Sequence, residues 1–275
     1  MIRHPLRWWR RWRTSWLVRR HALPDEQWLA ATRDLVLLRG LDAREKARLR
    51  VLATLLIHRK TFVGAGGLAL DLTMKIVIAA QACVEILAFE HGIRAFDGWY
   101  EVIVYPDTFV VDREEMDAAG VVHAGRRALS GEAWRRGPVI LSWADVERDS
   151  FRLHPGHNVV IHEFAHKLDM LNGRADGFPP LHPDMPIEVW SRSLSEAYED
   201  LIERTAHHHG AINPYATTDP AEFFAVICEY FFTAPQLLHE AYPHVYEQLS
   251  AYFRQDPLAR LCHSCDSPVR DGLTH

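Results

Sequence analysis

The 275-residue chain has few cysteines, no long apolar run and no pattern typical of a secretory signal, and each absence argues against a class of protein. Its four cysteines are too few and too scattered to build a small disulfide-stabilised domain. No stretch of about 18 apolar residues occurs, so no transmembrane helix is expected. The N-terminus lacks the apolar segment and cleavage site of a signal peptide. With 48% hydrophobic residues and a net charge of −5, the chain is expected to be a cytoplasmic globular protein.

Two short motifs are incomplete, and neither predicts a function. Gly64–Gly67 is rich in glycine but lacks the Gly-Lys-Ser/Thr ending of a phosphate-binding loop, so it is expected to form a turn. Cys262 and Cys265 have the spacing of half a zinc knuckle, but the chain has no second Cys-x-x-Cys pair. Cys83 lies in an apolar stretch and is expected to be a core residue.

The first 22 residues differ in character from the rest of the chain. Residues 1–20 contain seven arginines, no acidic residue, and tryptophans at positions 8, 12 and 16 that would share one helix face. Three roles remain open: contact with a membrane surface, an arm for nucleic acid, or a helix whose tryptophans pack on the protein body. The remaining chain is more acidic than the net charge indicates, so no direct nucleic-acid binding is expected from the domain itself.

His162-Glu163-Phe-Ala-His166 is the most informative motif in the chain. Residues four apart lie on the same face of a helix, so His162 and His166 can bind one divalent metal ion. Glu163 lies about 100° around the helix, within reach of a metal-bound water. This is the HExxH arrangement of zinc hydrolases, which places two ligands and a general base in one turn. The alternative is an ordinary amphipathic helix in a histidine-rich chain.

A catalytic zinc requires a third protein ligand. The metzincin solution needs a histidine six residues after His166, but Asn172 occupies that position. A glutamate on a later helix is the other common solution, and the candidates are Glu196, Glu199, Glu222 and Glu229. Glu222 and Glu229 interrupt a strongly apolar run, and their spacing of seven puts them on one helix face. One of them would bind the metal and the other would orient a ligating histidine, although Glu222 is also compatible with a capping role at a helix start.

The chain resembles the Mlc titration factor A family, bacterial zinc metallopeptidases with a gluzincin-like site. The resemblance covers about residues 23–257 and includes Lys167, at a position that is usually uncharged in other zincins. It rests on Leu23-Pro24 with Trp28, Gln81-Ala82, Val104-Tyr105-Pro106, Leu141-Ser142-Trp143, His162 to Asp169, Tyr215 to Val226, and Cys228 followed by Glu229 to Pro235.

The resemblance implies one zinc ion per chain, with His162, His166 and Glu222 as ligands. It implies that Glu163 is the general base and that the hydroxyl of Tyr215 lies near the metal. Tyr215 would then donate a hydrogen bond to the oxyanion that forms during peptide hydrolysis. Asp169 and Glu229 are further candidates near the site. Asp169 would hold an imidazole N–H or a loop amide, or would simply solvate the helix end.

The predicted fold class is α+β. A zincin-like domain at 23–257 would combine a helical lobe at about 23–97 with a catalytic part at about 98–257, followed by a polar tail at 258–275. Helices are expected at 25–38, 42–59, 68–88, 158–172, 188–206 and 241–254, with a further helix around Glu222. Strands are expected at 101–105, 109–111, 121–123 and 138–143, forming a small mixed sheet. In zincins an edge strand pairs with extended substrate, and Val139–Trp143 is the candidate.

The resemblance implies hydrolysis of a peptide or protein substrate by an aminopeptidase-like activity. The Gly-x-Met-Glu-Asn motif of one large aminopeptidase group is absent, so no anchor for a substrate amine can be named. The resemblance also implies binding of an Mlc-type repressor and regulation of glucose phosphotransferase genes. The alternative is a regulatory protein that sequesters a transcriptional repressor without catalysis.

Overall fold

The computed structural model describes residues 17–107, 136–207 and 211–265. The strands are β1 (Thr61–Gly64), β2 (Glu101–Tyr105) and β3 (Val139–Ser142). The α-helices are α1 (Asp25–Thr32), α2 (Ala43–Arg59), α3 (Leu72–Glu85), α4 (Trp143–Phe151), α5 (Val159–Asp169), α6 (Ile187–Ala206), α7 (Pro220–Thr233), α8 (Pro235–Ala241), α9 (Pro243–Phe253) and α10 (Pro257–Cys265). Short 3₁₀ helices lie at Val36–Leu38, Gly92–Phe96, Met170–Asn172 and Pro214–Thr217.

Side-chain caps explain where several helices begin. Asp42 caps α2 and forms a reciprocal capping box with Glu45, so two backbone amides at this end are satisfied. Ser142 ends β3 and accepts a hydrogen bond from the amide of Asp145, which starts α4 directly after the strand. The predicted strand 138–143 is therefore shorter at its C-terminal end, because Trp143 is already helical.

The three strands among the described residues form a parallel sheet, whereas the sequence predicted a mixed one that included two further strands. Its strand order is β1-β2-β3, with Phe62 opposite Val102 and Val104 opposite Leu141. Parallel neighbours need a long crossover, and α3 lies in the connection from β1 to β2. Strand β1 was not predicted from the sequence, because it has only four residues and lies within the lobe predicted to be helical. The expected strands at 109–111 and 121–123 lie outside the described residues.

The core is centred on α5 and α7. Helix α5 packs against α3, α7 and β3, and every residue of α7 from Ala221 to Phe232 is buried. The ring of Phe164 on α5 makes edge-to-face contacts with Phe96 and Trp99 at centroid distances of 5.0 and 5.6 Å. A helix enclosed on several sides holds its side chains in narrow orientations, which suits it to carry a metal site.

Other boundaries differ from those expected. The predicted helix 25–38 ends at Thr32 and is followed by the 3₁₀ helix Val36–Leu38, and the predicted helix 68–88 is shorter. Residues 257–265, most of which were expected in the polar tail, form α10. Residues 1–16 of the basic segment and 266–275 of the tail lie outside the described residues. None of the described helices is long and apolar enough to cross a bilayer.

Candidate metal centre

Helix α5 begins at an N-terminus where buried side chains bond three of the first backbone amides. The side chain of Asn158 accepts a hydrogen bond from the amide of Ile161 at 3.0 Å, as an N-cap does. Asp149 of α4 accepts from the amide of Val159 at 3.1 Å, and Glu229 of α7 accepts from the amide of Asn158 at 2.5 Å. Three amides that the helix itself leaves unbonded are thus satisfied by buried side chains. The start of α5, and with it the position of His162, is held by two other helices.

Three donor atoms converge between α5 and α7. His162 Nε2 lies 3.0 Å from Glu222 Oε2, His166 Nε2 lies 3.5 Å from the same oxygen, and the two Nε2 atoms are 3.3 Å apart. Tetrahedral zinc with bonds of 2.0–2.1 Å has ligand atoms about 3.3–3.4 Å apart. The three observed separations bracket that value. His162, His166 and Glu222 therefore have the spacing to hold one metal ion, and they form a candidate metal group among the described residues.

The second ring nitrogen of His162 is also bonded. Its Nδ1 lies 2.8 Å from Glu229 Oε1, a contact between two buried side chains. Burial lowers the pKa of His162, but hydrogen bonds with Glu222 and Glu229 outweigh it and raise this pKa to about 10. Burial raises the pKa of Glu222, but hydrogen bonds from His162 and His166 outweigh it and hold this pKa well below its usual range. Without metal, the site therefore holds a proton that a metal ion must displace.

Glu163 and Lys167 lie one turn apart on α5. Glu163 is partly exposed, whereas Lys167 is buried and donates from Nζ to the carbonyl of Gly137 at 2.9 Å. Burial lowers the pKa of Lys167 to about 8, and the neighbouring charge of Glu163 opposes this shift. Lys167 thus links α5 to Gly137, two residues before β3, and places a positive charge near the candidate base.

Tyr215 borders the site from the 3₁₀ helix Pro214–Thr217. Its ring centroid lies 6.1 Å from that of His162, and the residue is 40% exposed. Asn213 fixes the local backbone by accepting from the amide of Tyr215 at 3.0 Å. The phenol therefore stands at the solvent side of the donor group, where it can meet a bound substrate.

Asp169 bonds a loop amide, one of the roles considered for it. Its Oδ2 accepts from the amide of Gly177 at 2.8 Å, and no hydrogen bond to His166 is found. Burial raises the pKa of Asp169 to about 7, although the backbone hydrogen bond from Gly177 opposes the shift. Asp169 thus holds the loop that follows α5.

Two of the four glutamate candidates lie away from the donor group. Glu196 and Glu199 are exposed on α6, as expected for acids in a polar stretch. Two buried polar residues near the site were not predicted from the sequence to belong to it. Gln81 appeared only as part of a family motif, and the fully buried Glu85 at the end of α3 was not singled out. An acid closing an apolar helical run was the one signal that pointed to Glu85.

Comparison with known proteins places these motifs in a wider group. A family model described as glucose-regulated metallo-peptidase M90 matches residues 6–254. Mlc titration factor A of Serratia proteamaculans is 43% identical over 245 residues, covering 86% of this chain and 92% of the relative. Mlc titration factor A of Yersinia enterocolitica is 39% identical over 245 residues, covering 86% of this chain and 90% of the relative. The resemblance found from the sequence motifs is thereby confirmed.

Proposed function

Because the chain belongs to the glucose-regulated metallopeptidase family M90, alongside the Mlc titration factor A proteins, we propose that it is a zinc-dependent peptidase with a gluzincin-like site. His162, His166 and Glu222 would hold one zinc ion per chain. The observation that supports this most directly is the convergence of their three donor atoms at separations of 3.0, 3.3 and 3.5 Å.

The donor set favours zinc in a catalytic role. Two imidazoles and one carboxylate are ligands that zinc accepts, and three protein ligands leave one position open. Zinc held there would polarise a substrate carbonyl and lower the pKa of a coordinated water toward about 7. Glu229 occupies the Nδ1 side of His162, so Nε2 of that ring is the atom that faces the other donors.

Two further side chains would act on the substrate. Glu163, partly exposed on the turn that carries both histidines, would accept a proton from the attacking water and deliver it to the leaving amine. Tyr215 would donate a hydrogen bond to the carbonyl oxygen as negative charge develops on it. Its ring beside His162 is at the open side of the donor group, which supports this role.

Substrate would approach along β3. This strand pairs with β2 on one side and is an edge of the sheet formed by the described residues. An extended peptide can add to such an edge through its backbone. Because β3 also packs against α5, a peptide bound there would pass close to the histidines. We propose aminopeptidase-like specificity, which the resemblance to the family implies.

A second function is supported by the names of the relatives. Mlc titration factor A proteins of Serratia and Salmonella are 43% identical to this chain over most of its length. We propose that this chain also binds an Mlc-type repressor and thereby affects glucose phosphotransferase genes. Glu163→Gln separates the two functions, because relief of repression by this variant would require binding but no hydrolysis.

The peptidase proposal predicts different effects for a base and a ligand. Glu163→Gln preserves shape and both histidines, so it should retain about one zinc per chain and lose roughly 10²- to 10⁴-fold in turnover. His166→Ala should lose the metal itself. Native mass spectrometry would measure zinc, and a panel of amino-acid anilides and short peptides would measure hydrolysis. Near-wild-type hydrolysis by zinc-loaded Glu163→Gln would exclude Glu163 as the base.

A further inference from the structure

A chain of buried hydrogen bonds runs from α3 to the proposed metal ligands. Gln81 on α3 is 1% exposed, and its Oε1 accepts from Asn158 Nδ2 at 2.8 Å. The backbone amide of Asn158 donates to Glu229 Oε2, and Glu229 Oε1 bonds His162 Nδ1. Gln81 also donates from Nε2 to Ser150 of α4 at 2.8 Å. Four helices thus meet in one network that ends on His162.

Two backbone groups determine how the side-chain amides of Gln81 and Asn158 are oriented. Gln81 Nε2 donates to the carbonyl of Val77, which can only accept, so Gln81 Oε1 must face Asn158. Asn158 Oδ1 faces the amide of Ile161, which can only donate, so its Nδ2 must face Gln81. Neither amide can turn over without losing a buried hydrogen bond. Asn158 is therefore held in one orientation from both sides.

The fixed position of Asn158 in turn holds the carboxylate of Glu229. Its Oε2 accepts from the amide of Asn158 and its Oε1 faces His162 Nδ1, so both oxygens act as acceptors. A carboxylate held in this way keeps the proton of His162 on Nδ1 and leaves Nε2 directed at Glu222 and His166. If Asn158 moved, the anchored oxygen of Glu229 would lose its partner and the ring of His162 could rotate.

We propose that Gln81 and Asn158 are positioning residues that act through Glu229 to orient His162 for metal binding. The effect on metal binding rests on the proposed function, whereas the effect on the His162–Glu229 hydrogen bond does not require any metal. The hydrogen bonds of these two side chains go to Val77, Ser150, Ile161 and each other, and none goes to a proposed metal ligand. Their role would be to supply two of the fixed contacts that make the site preorganised.

Gln81→Met tests the proposal, with Gln255→Met as a matched control. Methionine has nearly the length of glutamine but no polar group that could replace the amide. Gln255 is also a buried glutamine, 7% exposed, and it bonds the same helix by donating to the carbonyl of Val84 at 2.8 Å. Both variants should lower stability. Only Gln81 is connected to His162, so only its variant should alter the metal site.

The first measurement uses metal-free protein and long-range ¹H–¹⁵N correlation of histidine rings. Glu229→Gln assigns the His162 Nδ1–H resonance as the signal that it perturbs. Gln81→Met should shift this resonance and speed its exchange with solvent, and Gln255→Met should not. The second measurement is zinc affinity by chelator competition. Gln81→Met should bind zinc about tenfold more weakly than the wild type, which is the smallest loss typical of residues that orient a ligating histidine.

Asn158→Ser provides a second variant that keeps the helix cap. Serine accepts from the amide of Ile161 but is too short to reach Gln81, so it should reproduce both effects of Gln81→Met. An unchanged resonance and unchanged zinc affinity in these variants, or equal changes in Gln255→Met, would overturn the proposal. Failure of the proposed function would look different, because wild-type protein would then bind no zinc while the resonance still reported on Gln81.

Discussion

At the scale of single residues, the carboxyl group of Glu85 would be costly to bury in its charged form. It is fully buried at the end of α3, and neither carboxylate oxygen has a hydrogen-bond partner among the described residues. Burial raises its pKa well above the ordinary value of 4.5, although the charge of His162 opposes the shift. Burial, with a smaller contribution from the charge of Glu85, also raises the pKa values of Cys83, Cys228 and Tyr252. The neutral acid is therefore the form that the fold favours.

The sign of its effect on stability follows from that pKa. A group whose pKa is higher in the folded state binds its proton more tightly there than in the unfolded chain. Its stabilising contribution is complete below pH 4.5 and is lost as the pH rises toward the raised pKa of Glu85. Between these two pKa values, the free energy of unfolding falls by about 1.4 kcal/mol per pH unit.

Glu85→Gln should remove this dependence, because glutamine is neutral at every pH. The free energy of unfolding of the variant minus that of the wild type should increase from pH 5 to pH 8, by up to about 1.4 kcal/mol per unit. Urea denaturation at four pH values would measure it. Glu199→Gln, at an exposed position of α6, is the control and should give a nearly constant difference. A constant difference for Glu85→Gln as well would show that Glu85 is not buried as a neutral acid.

At the scale of elements, α5 and α7 are joined at both ends. Near the start of α5, the amide of Gly156 donates to Thr233 Oγ1 at 2.9 Å, and the Tyr230 ring packs on that glycine. Beyond the end of α5, Asp169 holds the amide of Gly177, whose backbone lies against Pro220 in the first turn of α7. The two contacts set the distance between the helices that carry His162 and Glu222.

Gly177 is required at this contact for two reasons. Its φ of +77° lies in the left-handed region, and a Cβ there would lie 2.3 Å from the carbonyl oxygen of Pro220. Gly67 has nearly the same φ, +83°, but a Cβ there would meet no atom within 4 Å. A comparison of the two glycines therefore separates the cost of backbone strain from the cost of displacing α7.

Gly177→Ala should both destabilise the protein and weaken zinc binding, because the start of α7 must move away. Gly67→Ala should cost about 1 kcal/mol of stability from backbone strain alone and leave zinc affinity unchanged. Thermal unfolding and chelator competition on both variants would make the comparison. Equal zinc affinities in the two variants would show that the Gly177 contact does not position Glu222.

At the scale of the whole molecule, the candidate metal centre connects parts of the chain that are far apart in sequence. His162 and Glu229 are 67 residues apart, and α5 also packs on α3 and on the sheet. A metal bound to both helices should oppose unfolding of all these parts together, because the unfolded chain does not hold the three donors near one another.

Zinc should therefore raise the melting temperature. With free zinc at a hundredfold excess over its Kd, the expected gain is about 2.7 kcal/mol, or roughly 5–10 °C for a chain of this size. Glu222→Gln should lose most of the shift, since it removes a proposed ligand. Glu229→Gln should still show the rise in melting temperature when the zinc concentration is increased, because loss of a histidine partner weakens zinc affinity by only about 10- to 100-fold. Scanning calorimetry across zinc concentrations would measure both, and the opposite ranking would exchange the roles of the two glutamates.

Much of the candidate site was accessible from local sequence patterns. The spacing of His162 and His166 is a property of one helix turn, and Glu222 and Glu229 were conspicuous as acids in an apolar run. Helix α7 could be predicted for the same reason, because its caps and apolar content are local. Choosing between the two glutamates was harder, since spacing alone places both on the same face.

By itself, the sequence determined the family, the helix that carries the histidines and a short set of candidate ligands, because these depend on residues within a few turns of one another. Only the tertiary structure decided that the described strands run parallel, that Gln81 reaches Asn158, that Glu229 takes the Nδ1 side of His162 and that Gly177 meets Pro220. The physical reason is that a long-range contact depends on how separate elements pack, and no local periodicity encodes that arrangement.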